Sequence, residues 1–184
     1  ERYDRWHSNP NKYTDDAPIR GIRVLMTEGR PELALAEADF LIDYYNEQLQ
    51  LEPEFREIFD NSLGRVFEDK ALILSVLNRS VDALEAATIS ISKFSSPTAV
   101  VTAKTTYIEC CMFHNRFQEA LEACEVTERY ASSLGLLKYI GMLPALKYFA
   151  QFRLGFLSLE QAIHLLNMVP INTTQDKLIA NFFL

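Results

Sequence analysis

Three times along this chain a helix-ending residue is followed by arginine, and four positions after that arginine come an alanine and a leucine. The copies are Gly29-Arg30 before Ala34-Leu35, Asn78-Arg79 before Ala83-Leu84, and Asn115-Arg116 before Ala120-Leu121; a looser fourth sets Leu157-Ser158 before Ala162-Ile163. The alanines at 34, 83, 120 and 162 stand 49, 37 and 42 positions apart. Periods of that size are long enough for one pair of helices per repeat, and stacked pairs expose extended surfaces rather than a single pocket.

The residues between copies follow the helical period of three and four. Asp15 or Asp16 is placed to cap a first helix that tolerates Pro18 in its opening turn and stops at Gly29; Pro31 and Glu32 open its partner, which runs to about Gln48. Residues 54–77 form the next helix, with Gly64 as a point of division, and Ser80 and Asp82 cap and charge the one that follows. Ser96 before Pro97 starts another, ending at His114-Asn115. Residues 117–134 carry the cleanest helical pattern and stop at Gly135. Pro144 places a further helix start near Leu143, and Ser158 with Gln161 forms a capping box for a helix ended by Pro170. The expectation is an all-α chain: an arm over residues 1–15, helical pairs over 16–170 as one domain, and the first helix of a truncated further repeat over 171–184. About four pairs and part of a fifth result.

Composition narrows the function classes. A net charge of −7 argues against nucleic-acid binding, which needs clustered Lys and Arg. From residue 100 onward seven basic residues balance seven acidic ones, so the excess lies in the N-terminal half. No apolar run is long enough to span a membrane and the start is unlike a signal peptide, so a cytoplasmic protein is expected. The missing initiator Met and the ending at Asn181-Phe182-Phe183-Leu184 suggest a piece of a longer polypeptide.

The sharpest candidate for chemistry is Cys110-Cys111 with His114 and Cys124, since thiolate and imidazole bind zinc. Adjacent residues on a helix point about 100° apart, which keeps Cys110 and Cys111 from sharing an ion; small core cysteines are expected, with no metal and no cofactor. His7, His114 and His164 form no catalytic pattern, and Glu119, Glu122, Glu125 and Glu128 read as the solvated side of a helix.

Taken together, the copies resemble the tetratricopeptide repeat family. Between residues 98 and 132 the positions of Tyr107, Ile108, Cys111, Phe117, Ala120, Cys124 and Thr127 match that family's signature spacing, while its Trp-Leu-Gly start and 34-residue period are missing. The resemblance implies a right-handed superhelical stack of antiparallel helix pairs, with small residues at the crossings and the first helix of each pair on the concave side. It is similar to the degenerate repeats of multidomain bacterial regulators, which implies a non-enzymatic protein- or peptide-binding or sensor module in a signalling or transcription-regulatory protein. Carrying the register over places Arg23, Met26, Arg65, Glu68, Thr105, Glu109, Met112, Lys147 and Gln151 on the ligand-facing surface. The connector from Leu136 to Ile140 is a second contact candidate. Leu178, Phe182, Phe183 and Leu184 are candidates for self-association, as a homodimer. The rival readings are a purely structural oligomerisation domain and a helical enzyme without a recognisable motif.

Overall fold

Five helices end alike, and those endings organise the chain. In the computed structural model, which describes residues 17–136 and 143–168, the second residue after each of these helices takes a left-handed backbone: Gly29, Asn78, Asn115, Gly135 and Gly155, with φ between 57° and 78°. Glycine and asparagine are the residues that adopt this conformation at least cost. The turn satisfies the last helical carbonyls with two bonds. Gly29 N–H donates to Met26 O at 3.1 Å and Arg30 N–H to Leu25 O at 2.9 Å; Asn115 N–H and Arg116 N–H do the same to Met112 O at 3.1 Å and Cys111 O at 2.8 Å. Asn115→Val is expected to cost about 1–2 kcal/mol, because a β-branched side chain resists positive φ. Asn115→Gly is expected to stay within a few tenths of wild type, and urea unfolding of both variants checks the contrast.

After Gly29, Asn78 and Asn115 the next residue is the cap of the following helix, and here the recurring alanine finds its explanation. Ala34, Ala83, Ala120 and Ala162 donate their amides to the carbonyls of Arg30, Arg79, Arg116 and Ser158, at 2.9–3.1 Å. Each alanine is thus the first residue whose N–H bonds inside its own helix, at the point where the chain has just turned back. All four are buried. The cap arginines make no side-chain cap bond; Arg79 and Arg116 instead pair with Asp82 and Glu119 in the first turn, and Arg30 pairs with Glu28.

Among the described residues the chain is entirely helical: α1 (Ala17–Thr27), α2 (Pro31–Leu51), a 3-10 turn (Pro53–Phe55), α3 (Arg56–Val76), α4 (Ser80–Lys93), α5 (Pro97–Phe113), α6 (Phe117–Ser133), α7 (Leu143–Arg153) and α8 (Leu159–Met168). None of these helices is long and apolar enough to cross a membrane. The chain divides between Ser95 and Ser96 into two compact units. In the first, α1 packs on α2, α2 on α3 and α3 on α4, and α1 also meets α3. Ile22, Leu41, Phe59, Leu63 and Val66 lie at the centre of its core, fully buried or nearly so. In the second, α5 packs on α6, α6 on α7 and α7 on α8, and α5 also meets α7. Its core includes Ile108, Ala120, Cys124, Leu143 and Leu146.

Three local expectations are corrected. Gly64 does not divide α3, which runs unbroken through it. A Cβ built at Gly64 would stand 2.7 Å from Phe94 Cζ, and Ser90 Oγ donates to Gly64 O at 2.9 Å, so the glycine serves the close approach of α4 to α3. Ser80 is not the cap of α4; that place belongs to Arg79, whose carbonyl starts the helix. In the fourth copy the left-handed residue is Gly155, three positions before the cap Ser158, whereas it directly precedes the cap in the other three. The capping box itself is present: Gln161 N–H donates to Ser158 Oγ at 3.2 Å and Ser158 N–H to Gln161 Oε1 at 2.9 Å. Residues 1–16, 137–142 and 169–184 lie outside the described residues, and with them Leu178, Phe182, Phe183, Leu184 and the connector candidate beyond Leu136.

Candidate functional site: the first-helix surfaces

The nine residues assigned to the ligand-facing surface fall on α1, α3, α5 and α7, the first helices of their pairs. In the first unit the central feature is an ion pair from α1 to α3. Arg23 Nε lies 3.1 Å from both Asp69 Oδ1 and Asp69 Oδ2. The two ends of the pair differ sharply in exposure: the Arg23 side chain is 63% exposed and that of Asp69 9%. Burial raises the Asp69 carboxyl above its ordinary pKa, and the Arg23 guanidinium opposes that shift. Asp69 escaped the sequence reading, which took its neighbour Glu68; the signal for it was a position one helical turn beyond Arg65 on the same side. Arg65 is exposed, Glu68 half-buried, and Met26 half-buried against the core.

In the second unit Thr105, Glu109 and Gln151 are half-buried, and Thr105 Oγ1 donates to Val101 O at 3.1 Å. Burial alone pushes the Glu109 carboxyl up to about 7. Met112 is 6% exposed and belongs to the core. Lys147 does not stand open: its Nζ donates to Glu128 Oε2 on α6 at 2.7 Å, and that bond holds the ammonium above its ordinary pKa. The physical reason is the longer turn of the fourth copy. Counting back from Ala162 across two extra residues carries the register of α7 off by two positions, onto the side that meets α6.

The acidic run on α6 separates along the same lines. Glu122 and Glu125 are exposed, as a solvated side requires. Glu119 accepts from Tyr107 Oη on α5 and pairs with Arg116, and Glu128 is taken by Lys147, so the outer two glutamates tie α6 to its neighbours. On α7, Arg153 lies 4.3 Å from the centre of the Phe117 ring and 5.7 Å from that of Phe149, a cation-π stack that fastens the end of α7 to the start of α6.

Cys110, Cys111 and Cys124 are thiols with no exposed surface, none of them joined in a disulfide. Burial pushes the Cys111 and Cys124 thiols up to about 12, which keeps them protonated and unreactive at neutral pH. Among the described residues no group of three or more His, Cys, Asp or Glu is placed to hold a metal ion. His114 caps the end of α5 and His164 is exposed on α8. Neither family models, nor curated proteins, nor solved structures give a match to this chain.

Proposed function

We propose that this chain is a tetratricopeptide-like stack of antiparallel helix pairs that binds a protein or peptide segment along its first helices, as a non-enzymatic sensor or docking module of a larger regulatory protein. The observation that carries the reading is a contact scheme repeated in both units. Within each unit the first helix of the leading pair packs on its second helix, that second helix packs on the next first helix, and the two first helices touch: α1 with α3, and α5 with α7. That scheme is the one a superhelix of pairs requires, because it sets first helices side by side and leaves second helices to the outside. Polar side chains interspersed with Met26 on these helices suit recognition of an extended segment, with charges fixing register and the thioether adapting to shape. A bacterial signalling or transcriptional regulator in the cytoplasm is the setting the resemblance favours.

Selection of a displayed random 12-residue peptide library on the intact chain tests the reading. The selected peptides are expected to lose tenfold or more in affinity when Thr102→Lys and Thr105→Lys are combined on α5, where Thr102 is exposed and Thr105 half-buried. Glu122→Gln with Glu125→Gln, an equal charge change on the exposed side of α6, is expected to leave affinity within about twofold. Absence of any selected binder, or equal sensitivity to both pairs, contradicts the proposal.

A further inference from the structure

Among the described residues, every cation on α5 and α7 is engaged by a neighbouring group, and the one carboxylate on these helices is not. The charged residues of α5 are Lys104 and Glu109, and those of α7 are Lys147 and Arg153. Lys104 Nζ lies over the Tyr130 ring of α6 at 5.6 Å, Lys147 Nζ donates to Glu128 Oε2 of α6 at 2.7 Å, and Arg153 stacks on the Phe117 ring at the start of α6. Glu109 makes no hydrogen bond or ion pair with any described residue. Burial is the sole cause of its raised pKa, so none of these cations comes near enough to act on it.

Helical geometry turns that carboxyl away from α6. The side of α5 that meets α6 is marked by Lys104 and by Tyr107, whose Oη donates to Glu119. At 100° per residue, Glu109 stands about 140–160° round the helix from both. Thr102, Thr105 and Phe113 instead lie one or two turns from Glu109 at spacings that repeat on one side of a helix. Thr102 is exposed, Thr105 half-buried and Phe113 52% exposed. Glu109 is half-buried, so a carboxyl short of full hydration stands between a hydroxyl-bearing turn and an open aromatic ring.

An ionised carboxylate in that place costs the fold stability, because no cation or N–H offsets its lost hydration. Groups held at such a cost concentrate at sites of function. A carboxylate beside an exposed ring is suited to a cation, which gains charge-assisted hydrogen bonds from the one and the ring's negative face from the other. Resting on the binding function proposed above, we infer that the side of α5 facing away from α6 receives one basic side chain, lysine or arginine, of a bound peptide segment, with its charge on Glu109 and its stem against Phe113. The segment carries a single basic residue here and not a basic run. Lys104 and Arg153 are held by aromatic rings, which leave their charge in place to oppose further cations.

The test selects the displayed 12-residue library in parallel on the intact chain and on its Glu109→Gln variant. Peptides from the intact chain are expected to share one Lys or Arg at a fixed position, and those from the variant are not. Titration calorimetry with an abundant peptide from the first selection then closes a double-mutant cycle. Replacing its Lys or Arg by Gln is expected to lose about tenfold or more on the intact chain and less than about twofold on Glu109→Gln. Phe113→Ala is expected to weaken the basic peptide severalfold, and unchanged affinity there overturns the part given to the ring. Glu109→Gln is expected to raise the urea midpoint at pH 8, so weaker binding by that variant is separated from loss of folding. No shared basic residue, or an equal loss on both chains, overturns the inference. If the selected peptides lack a basic residue yet respond to Thr102→Lys with Thr105→Lys, the basic specificity falls while the binding function stands; if neither chain yields a peptide, both fall.

Discussion

Glu109→Gln raises the stability of residues 96–168 at pH 8 by up to about 3 kcal/mol and leaves it unchanged at pH 4. Burial moves the Glu109 carboxyl from 4.5 up to about 7 in the folded chain. A folded pKa above the unfolded one means that the fold favours the protonated, neutral group. Below about 4.5 the group is neutral in both states and contributes no difference. Between 4.5 and 7 the unfolded chain ionises and the folded chain does not, so stability falls as pH rises, and above 7 the full cost of holding a half-buried carboxylate is present. Glutamine has nearly the same shape and no charge to lose, so the difference between variant and wild type should grow through that window and level off above it. Urea unfolding at half-unit pH steps measures the curve. A flat difference would mean that the carboxylate is solvated in the folded chain.

Ala120→Leu is expected to destabilise the same residues by about 1–3 kcal/mol, with the slope of the urea transition unchanged and its midpoint lowered. Ala120 has no exposed surface and sits where the chain has turned back from α5 into α6, so three added carbons have no room. Glu122→Leu, two residues away on the exposed side of α6, is the matched control and should stay within about 0.5 kcal/mol. Equal effects at the two positions would show that the alanine is not a close-packing residue. The expectation extends to Ala34 and Ala83, which are equally buried and occupy the same place in their helices.

Most of the helical framework could be read from the sequence because each helix end is written in the backbone preferences of one or two residues. Gly29, Asn78 and Asn115 take the left-handed conformation that their lack of a Cβ or short amide side chain permits, and Pro31 and Pro97 open helices at the position where a missing N–H costs nothing. Packing was less legible. Gly64 looks the same in sequence whether it breaks a helix or admits a neighbour; only the Phe94 ring above it distinguishes the two. Exposure along the candidate surface could not be read from register: Lys147 is spent on Glu128 after the longer turn, and Met112, counted from a turn of the short form, lies in the core. Asp69 was missed because a buried carboxylate is recognised by its partner on another helix, and the distance of 46 residues to Arg23 leaves no local trace.

Amide hydrogen exchange of the intact chain, with and without a library-selected peptide at saturating concentration, tests the central claim most directly. The account predicts that the peptide slows exchange in the first helices of the unit that binds it, α1 and α3 or α5 and α7, and leaves the exposed sides of α2 and α6 as they were. Protection confined to the second helices, or spread evenly over first and second helices alike, would contradict it.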